Sequence, residues 1–314
     1  MTDSIIPDGP HGSPLVSVVI PSYNRAHIVC AAVRSALDQA PVDLEVIVVD
    51  DGSNDDTERQ LEELADPRVR YIRQPNAGAC VARNTGMLAA RGHYIALLDS
   101  DDVFLPGHLA SAVELLSRST EKTVVYGRIT VDRGNGVSFE KPPRAIRPGE
   151  PVSEYLLCDT GFVQTSTVVL RRDLAQRVLY TPGLPFGQDT DFAIRLGHEG
   201  ATFHMLKSPQ AVWLDVADEG RVSSKLDPIA RERWLASVQD AITPRALAGD
   251  RGWFVAKGHA ARNRHAKAAV LFLGAVVRGC YRPKVAARIF LQIFLPKNVY
   301  RVVADRVIAK QQRP

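Results

Sequence analysis

Leu44–Ser53 reads Leu-Glu-Val-Ile-Val-Val-Asp-Asp-Gly-Ser, a β-branched apolar run that ends in two adjacent carboxylates and a glycine turn. A run of this kind, bounded by turn residues, fits a strand buried on both faces of a parallel sheet. Working outward, the same pattern recurs. Leu15–Pro21 (LVSVVIP) precedes it, Val69–Arg73 follows it, and Tyr94–Asp99 (YIALLD) runs into Ser100-Asp101-Asp102. Helical spacing fills the gaps at Ala26–Gln39, Asp55–Ala65 and Ala79–Ala90. Strand–helix alternation predicts βαβ units with helices on both faces. In such sheets the ligand site lies beyond the carboxyl ends of the strands. That rule selects Pro21–Arg25, Asp50–Ser53, Asn76–Gly78 and Asp99–Asp102.

Further along, the pattern is less regular. Val124–Val131 and Gln164–Arg171 read as strands, Thr202–Leu206 and Ala211–Leu214 as two short ones. Asp189–Gly197 has helical spacing, with Phe192 and Leu196 on one face. Asp132–Pro151, rich in Gly, Pro and charge, reads as a mobile loop. After about residue 226 the strand signals stop and the pattern is helical.

Four constellations could carry chemistry. Asp50 and Asp51 need partners to offset their desolvation. They serve either a capped turn or a carboxylate that accepts from a base or ribose. Asp99, Asp101 and Asp102 repel one another unless a cation intervenes. Oxygen ligands suit Mg²⁺ or Mn²⁺; the alternative is a solvated turn. Asn76-Ala77-Gly78 precedes a helix whose N-terminus favours an anion, and Arg83 lies on that helix, facing phosphate, the acids or solvent. Asp189 opens a later helix as a capping acid or as a general base. There is no Gly-x-Gly-x-x-Gly, no Walker A lysine motif and no Gly-x-Ser-x-Gly elbow. The eight histidines show no zinc spacing.

Taken together, Val16–Arg25 (VSVVIPSYNR), Ser35–Ser53 (SALDQAPVDLEVIVVDDGS), Asn76–Gly86 (NAGACVARNTG) and Gly92–Asp102 (GHYIALLDSDD) resemble family 2 glycosyltransferases. The resemblance is dense over 15–106 and thinner to about 225. It implies a GT-A fold: an α/β, Rossmann-like nucleotide-binding half (15–122), an acceptor half with a mixed sheet (123–225), and a basic helical region (226–314) behind them. By the same resemblance, Pro21, Tyr23 and Arg25 line the nucleotide pocket with Asp50, Asn76 and Gly78. Asp51 binds the base, Arg83 lies near the donor sugar or phosphate, and Asp99 and Ser100 face the ribose. Asp101, with Asp99, holds Mn²⁺ or Mg²⁺. Asp189 is the base of an inverting transfer, and Arg221 covers the pyrophosphate. The family's usual Glu before that base is Gln188 here. The Gln-x-x-Arg-Trp motif of processive synthases is absent, so a single addition is expected. The donor is a nucleotide-diphosphate sugar, UDP-linked ahead of GDP or dTDP, and the acceptor a glycan or lipid-linked glycan of the cell surface. A sugar nucleotidyltransferase would need a Gly-rich triphosphate loop where Ser22–Arg25 stands. An inactive scaffold at a membrane is the non-enzyme alternative.

Composition bounds the rest. Of 314 residues, 45% are hydrophobic and 24% charged, as in soluble globular chains and unlike collagen, disordered or polytopic membrane chains. The four cysteines show no paired spacing, which fits a reducing compartment. Residues 251–314 hold fourteen Lys or Arg against Asp305 alone, +13, whereas 1–250 hold 25 basic and 34 acidic residues, −9. Interleaved with apolar stripes and divided at Gly274, Pro283 and Pro296, this region predicts short helices that either rest on an anionic membrane surface, the favoured reading, or pack on the catalytic domain with a solvated basic face. No nucleic-acid module accompanies the charge. The longest uncharged apolar stretch, Ala268–Val277, is far short of the ~20 residues of a spanning helix. Residues 1–14 read as a disordered lead-in without signal-peptide order. The expected location is cytoplasmic and peripheral.

Overall fold

The apolar runs lie side by side in the computed structural model, which describes residues 12–134, 136–214, 227–296, 299–300 and 302. Strands β1 (Val16–Ser22), β2 (Leu44–Asp50), β3 (Val69–Arg73) and β4 (Tyr94–Leu97) are parallel, in the order β3-β2-β1-β4. Their crossovers carry α1 (Ala26–Leu37), α2 (Thr57–Glu62) and α3 (Ala79–Ala89). The register pairs Ser22 with Asp50 and Asp50 with Arg73, so the carboxyl ends of these three strands open at one edge.

Every residue of β1, β2 and β4 is buried, as continuous apolar runs require. Alternation divides them between two cores. Val19, Ile47 and Val49 face one core, while Val18, Ile20, Val46 and Val48 face the other with α1. Helix α3 packs very close to the sheet at Gly86, where a Cβ would stand 2.4 Å from Val19 Cγ1.

Beyond β4 the sheet turns mixed. Strands β5 (Asp102–Phe104), β6 (Thr123–Asp132), β7 (Ser138–Lys141), β8 (Val169–Arg171) and β9 (Thr202–Leu214) extend it as β4-β8-β6-β9-β5, with β7 on β6. Helices α4 (His108–Ser117), α5 (Val152–Cys158), α6 (Arg172–Val178) and α7 (Gln188–His198) connect them.

Three expectations change here. The two short strands at 202–214 are one strand, because β6 shifts register around Arg128 and lets Pro209 sit at a bulge that needs no ladder donor. The strand expected from Gln164 begins only at Val169; Thr165–Thr167 is a 3₁₀ turn. The segment expected to be a mobile loop contains β7 and a tied connection. Arg144 bonds Glu150 and Asp159, each at 2.7 Å, and the Ile146 amide donates to the Tyr126 hydroxyl.

The remaining helices are α8 (Pro228–Ser237), α9 (Pro244–Asp250), α10 (Ala256–Ala260), α11 (His265–Val277) and α12 (Pro283–Phe294), with a π-helical turn Arg251–Val255 between α9 and α10. Gly274 does not divide them; it lies within α11, and the break comes at Gly279, whose φ of 66° ends the helix. Pro283 opens α12, where its missing N–H costs nothing. Trp234, Leu235 and Val255 join the core that contains Val19 and Val49. Beneath them the Arg231–Asp250 ion pair is buried, with side-chain exposures of 5% and 0%. Residues 1–11 of the expected lead-in lie outside the described residues.

Candidate active site

The loops after β1 and β2 hold each other. The Asn24 amide donates to Ser53 Oγ at 2.8 Å, the Asn54 amide to Asn24 Oδ1 at 2.9 Å, and the Asp51 amide to the Ser22 carbonyl at 2.8 Å. Pro21 is buried at the end of β1, and Tyr23 is exposed just beyond it.

Asp50 and Asp51 are both buried, and each organises backbone. Asp50 accepts from the Ser53 amide at 2.8 Å and from the Tyr71 hydroxyl at 2.5 Å. Burial and that carboxylate push the Tyr71 hydroxyl pKa up. Asp51 accepts from Gln74 Nε2 at 2.7 Å, the Ala77 amide at 2.9 Å and the Gly78 amide at 2.7 Å. Its carboxylate therefore anchors the loop that opens α3. Asn76 and Gly78 are exposed on that loop, and Gly78 has φ of 91° with open space where a Cβ would be.

Arg83 projects from α3 into a buried cluster. Its guanidinium pairs with Asp99 at 2.6 Å, donates to Gln188 Oε1 at 2.8 Å and lies 5.1 Å from the Tyr180 ring centre. Burial opposes its charge, but Asp99, Tyr180 and Asp189 outweigh burial and raise its pKa. Asp189, in the first turn of α7, accepts from the Thr165 hydroxyl at 2.5 Å. Burial, and next Asp99, raise the pKa of its carboxyl against the pull of Arg83. The helix N-terminus and the Thr165 hydroxyl, which favour the charged form, hold the carboxylate in place, while burial and Asp99 make it a stronger base than a solvated Asp.

Asp101 and Arg25 form a second, part-exposed pair at 3.5 Å. Ser100 is buried between the acids. Asp102 turns inward and accepts from Ser166 at 2.5 Å and Gln164 at 2.7 Å. Burial and Asp99 push its pKa well above the usual carboxylate range, and its Oδ1 has no hydrogen-bond partner. Among the described residues no group of three His, Cys, Asp or Glu is arranged to hold an ion alone. Asp101 and Asp99, both partly open to solvent, fit an ion completed by phosphate oxygens and water.

Nine of the sequence-predicted residues thus fall into three groups: Asp50, Asp51, Asn76 and Gly78; Arg83, Asp99 and Asp189; Arg25 and Asp101. Arg221 lies outside the described residues. Gln164, Thr165, Ser166 and Tyr180 were not foreseen. Asp191, on the same turn as Asp189, is structural and accepts from Trp234 Nε1, Thr181 Oγ1 and Arg195 Nε.

Comparison with known proteins accords with this arrangement. The family model described as Glycosyl transferase family 2 matches residues 17–179, just over half of the chain. WfgD of Escherichia coli, a UDP-Glc:alpha-D-GlcNAc-diphosphoundecaprenol beta-1,3-glucosyltransferase, is 32% identical over 161 residues, covering 51% of this chain and 61% of WfgD. The chain spans 31% and 52% of the first two curated relatives that it matches, uncharacterised glycosyltransferases of Rickettsia conorii and Nostoc. The structure of S. aureus TarS 1-349 in complex with UDP-GlcNAc has a TM-score of 0.64 at 17% identity, covering 95% of this chain and 92% of that one. The mannosyltransferase PcManGT of Pyrobaculum calidifontis, in complex with GDP-Man and Mn²⁺, has a TM-score of 0.57 at 18% identity, covering 98% and 88%. These likenesses are of fold, and the fold is GT-A. The mixed sheet, the acidic strand ends and a family match that carries Asp50, Arg83 and Asp99 place this chain in glycosyl transferase family 2.

Proposed function

We propose that the protein is a metal-dependent, inverting glycosyltransferase. It moves one sugar from a nucleotide-diphosphate donor, UDP-linked ahead of GDP, to a hydroxyl of a glycan or lipid-linked acceptor in cell-surface polysaccharide synthesis. The observation that carries this reading is Asp189, held by Thr165 at a helix N-terminus with a raised pKa, beside the Arg83–Asp99 pair. WfgD's named donor and lipid-linked acceptor, and the nucleotide sugars in the two structures, support the substrate class.

In this reading Pro21, Tyr23 and Arg25 face the nucleotide, and Asp51 holds the loop against which it lies. Asp189 takes the acceptor's hydroxyl proton. The acceptor oxygen forms the new bond to the anomeric carbon as the bond to the diphosphate oxygen breaks. The nucleoside diphosphate leaves with that electron pair, and the anomeric configuration inverts. Arg83 balances the charge of Asp99 beside the reacting centre. A divalent ion at Asp101 and Asp99, Mn²⁺ or Mg²⁺, would supply Lewis-acid stabilisation of the leaving diphosphate. Among the described residues no helix is long and apolar enough to cross a membrane. The basic region 251–314 is assigned to an anionic membrane surface on the cytoplasmic side.

The test is thermal denaturation with UDP, GDP, dTDP and CDP, each with and without Mn²⁺. A ligand at 100 times its dissociation constant stabilises by about 2.7 kcal/mol. Metal-dependent stabilisation by UDP is expected. No shift with any nucleotide would overturn the reading in favour of an inactive scaffold.

A further inference from the structure

Helix α11 turns Ala268, Phe272 and Ala275 inward. On a packed surface helix the opposite side is normally polar. Here it carries Val270 (71% exposed), Leu273 (57%) and Val277 (86%), spaced i, i+3, i+7 along one stripe. Helix α12 adds Phe290 (48% exposed) and Leu291, and the Phe290 ring lies 5.9 Å from Phe272, which joins the two helices. Around these side chains stand Lys267 at the start of α11, Arg278 at its end, and Arg282, Lys284 and Arg288 at the start and along α12, all exposed. No Asp or Glu occurs between residues 251 and 304.

We propose that the outer face of α11 and α12 is the membrane-docking surface. Val270, Leu273, Val277, Phe290 and Leu291 enter the headgroup boundary of an anionic bilayer, and the flanking cations lie against its lipids. This deepens the membrane assignment of the preceding section and rests on it; it does not depend on the donor or the base. Charge decides between occupants. A second copy docked through this same face would bring the same cations against themselves, which costs free energy. An anionic leaflet neutralises them and also offers an apolar layer to the stripe. Nucleic acid could meet the charge but has no place for five exposed aliphatic and aromatic side chains on adjoining helices.

The experiment is co-sedimentation of the full chain with phosphatidylcholine vesicles, and with vesicles also containing phosphatidylglycerol. Two double variants are compared, Leu273→Glu/Val277→Glu and Lys284→Glu/Arg288→Glu. These positions are exposed, so the fold should survive; the nucleotide-dependent thermal shift of each variant checks it. The expected result is binding to the anionic vesicles only, weakened on the order of tenfold or more by either double variant and by raised salt. Transfer to a soluble acceptor should be unchanged. Equal binding to both vesicle types, or binding that neither double variant weakens, would overturn the proposal. So would an absence of vesicle binding, including the case where the wild type is a dimer that Leu273→Glu/Val277→Glu makes monomeric. Failure of the catalytic reading would show separately, as loss of the nucleotide shift in the wild type.

Discussion

Asp250→Ala removes one partner of the buried Arg231–Asp250 pair, which lies near the N-terminus of α7. Arg231 keeps its charge between the rings of Trp234 and Phe254, at 3.9 and 4.9 Å from their centres, with its carboxylate gone. Breaking a buried pair in this way costs about 3–5 kcal/mol. The entropy of unfolding is about 2.1 cal/mol/K per residue, or roughly 0.65 kcal/mol/K over 314 residues. A loss of ~4 kcal/mol therefore lowers Tm by roughly 6 °C. Calorimetry on the purified variant reads this directly. The loss should also reach the site. Arg231 Nη1 lies 2.8 Å from where a Gly187 Cβ would stand, and Gly187 precedes Asp189 by two residues at the start of α7. The variant should therefore lose kcat with little change in donor KM. The double variant Arg231→Met/Asp250→Leu, which removes both charges, should recover most of the stability. A Tm within about 1 °C of wild type for Asp250→Ala, well below the calculated shift, would refute the argument that this pair braces the helix.

Three further outcomes follow. Asp189→Asn should lose transfer by about 10²-fold or more yet keep its nucleotide-dependent thermal shift. It should also melt higher than wild type at neutral pH. The folded carboxyl has a raised pKa, so its stabilising contribution is complete below the unfolded value of about 3.9 and is lost as pH rises through the folded one. The Tm difference should widen from acid to neutral pH; a constant difference would contradict this. Gln188→Glu places a second carboxylate on Arg83 beside Asp189, which should move the acidic limb of the kcat/KM profile to higher pH. An unmoved limb would separate Gln188 from the base. Gly86→Ala should cost about 1–3 kcal/mol in urea denaturation, because the new methyl meets the buried Val19; adding Val19→Ala should recover part of that loss.

How much was legible depends on how local each signal is. The parallel half was readable because β1, β2 and β4 are buried on both faces, and their composition states that burial without reference to partners. The helix start at Asp189 was readable because a carboxylate favours the first turn of a helix; the role of that carboxylate was not, since a capping acid and a base look alike in sequence. The structure at Thr165 was not. Its hydroxyl serves Asp189, while Ser166 and Gln164 serve Asp102, 64 and 62 residues away. No periodicity encodes pairings at that separation, and QTSTVVLR therefore reads as a strand throughout. The Asp132–Pro151 segment misled for a related reason. Its charges imply solvent until Arg144 is seen to close on Glu150 and Asp159. At β9, Ser208-Pro209 looks like a break, whereas a bulge opposite Arg128 lets the strand pass through it.

The central claim is inverting transfer with Asp189 as the base. Its most direct measurement is proton NMR of the protein with UDP-sugars, diamagnetic Mg²⁺ and an acceptor glycan, following the anomeric signal and the released nucleotide. The account predicts a product of inverted configuration and stoichiometric nucleoside diphosphate, with both formed at least about 10²-fold more slowly by Asp189→Asn. A retained configuration, release of pyrophosphate or nucleoside monophosphate, or full turnover by Asp189→Asn would contradict it.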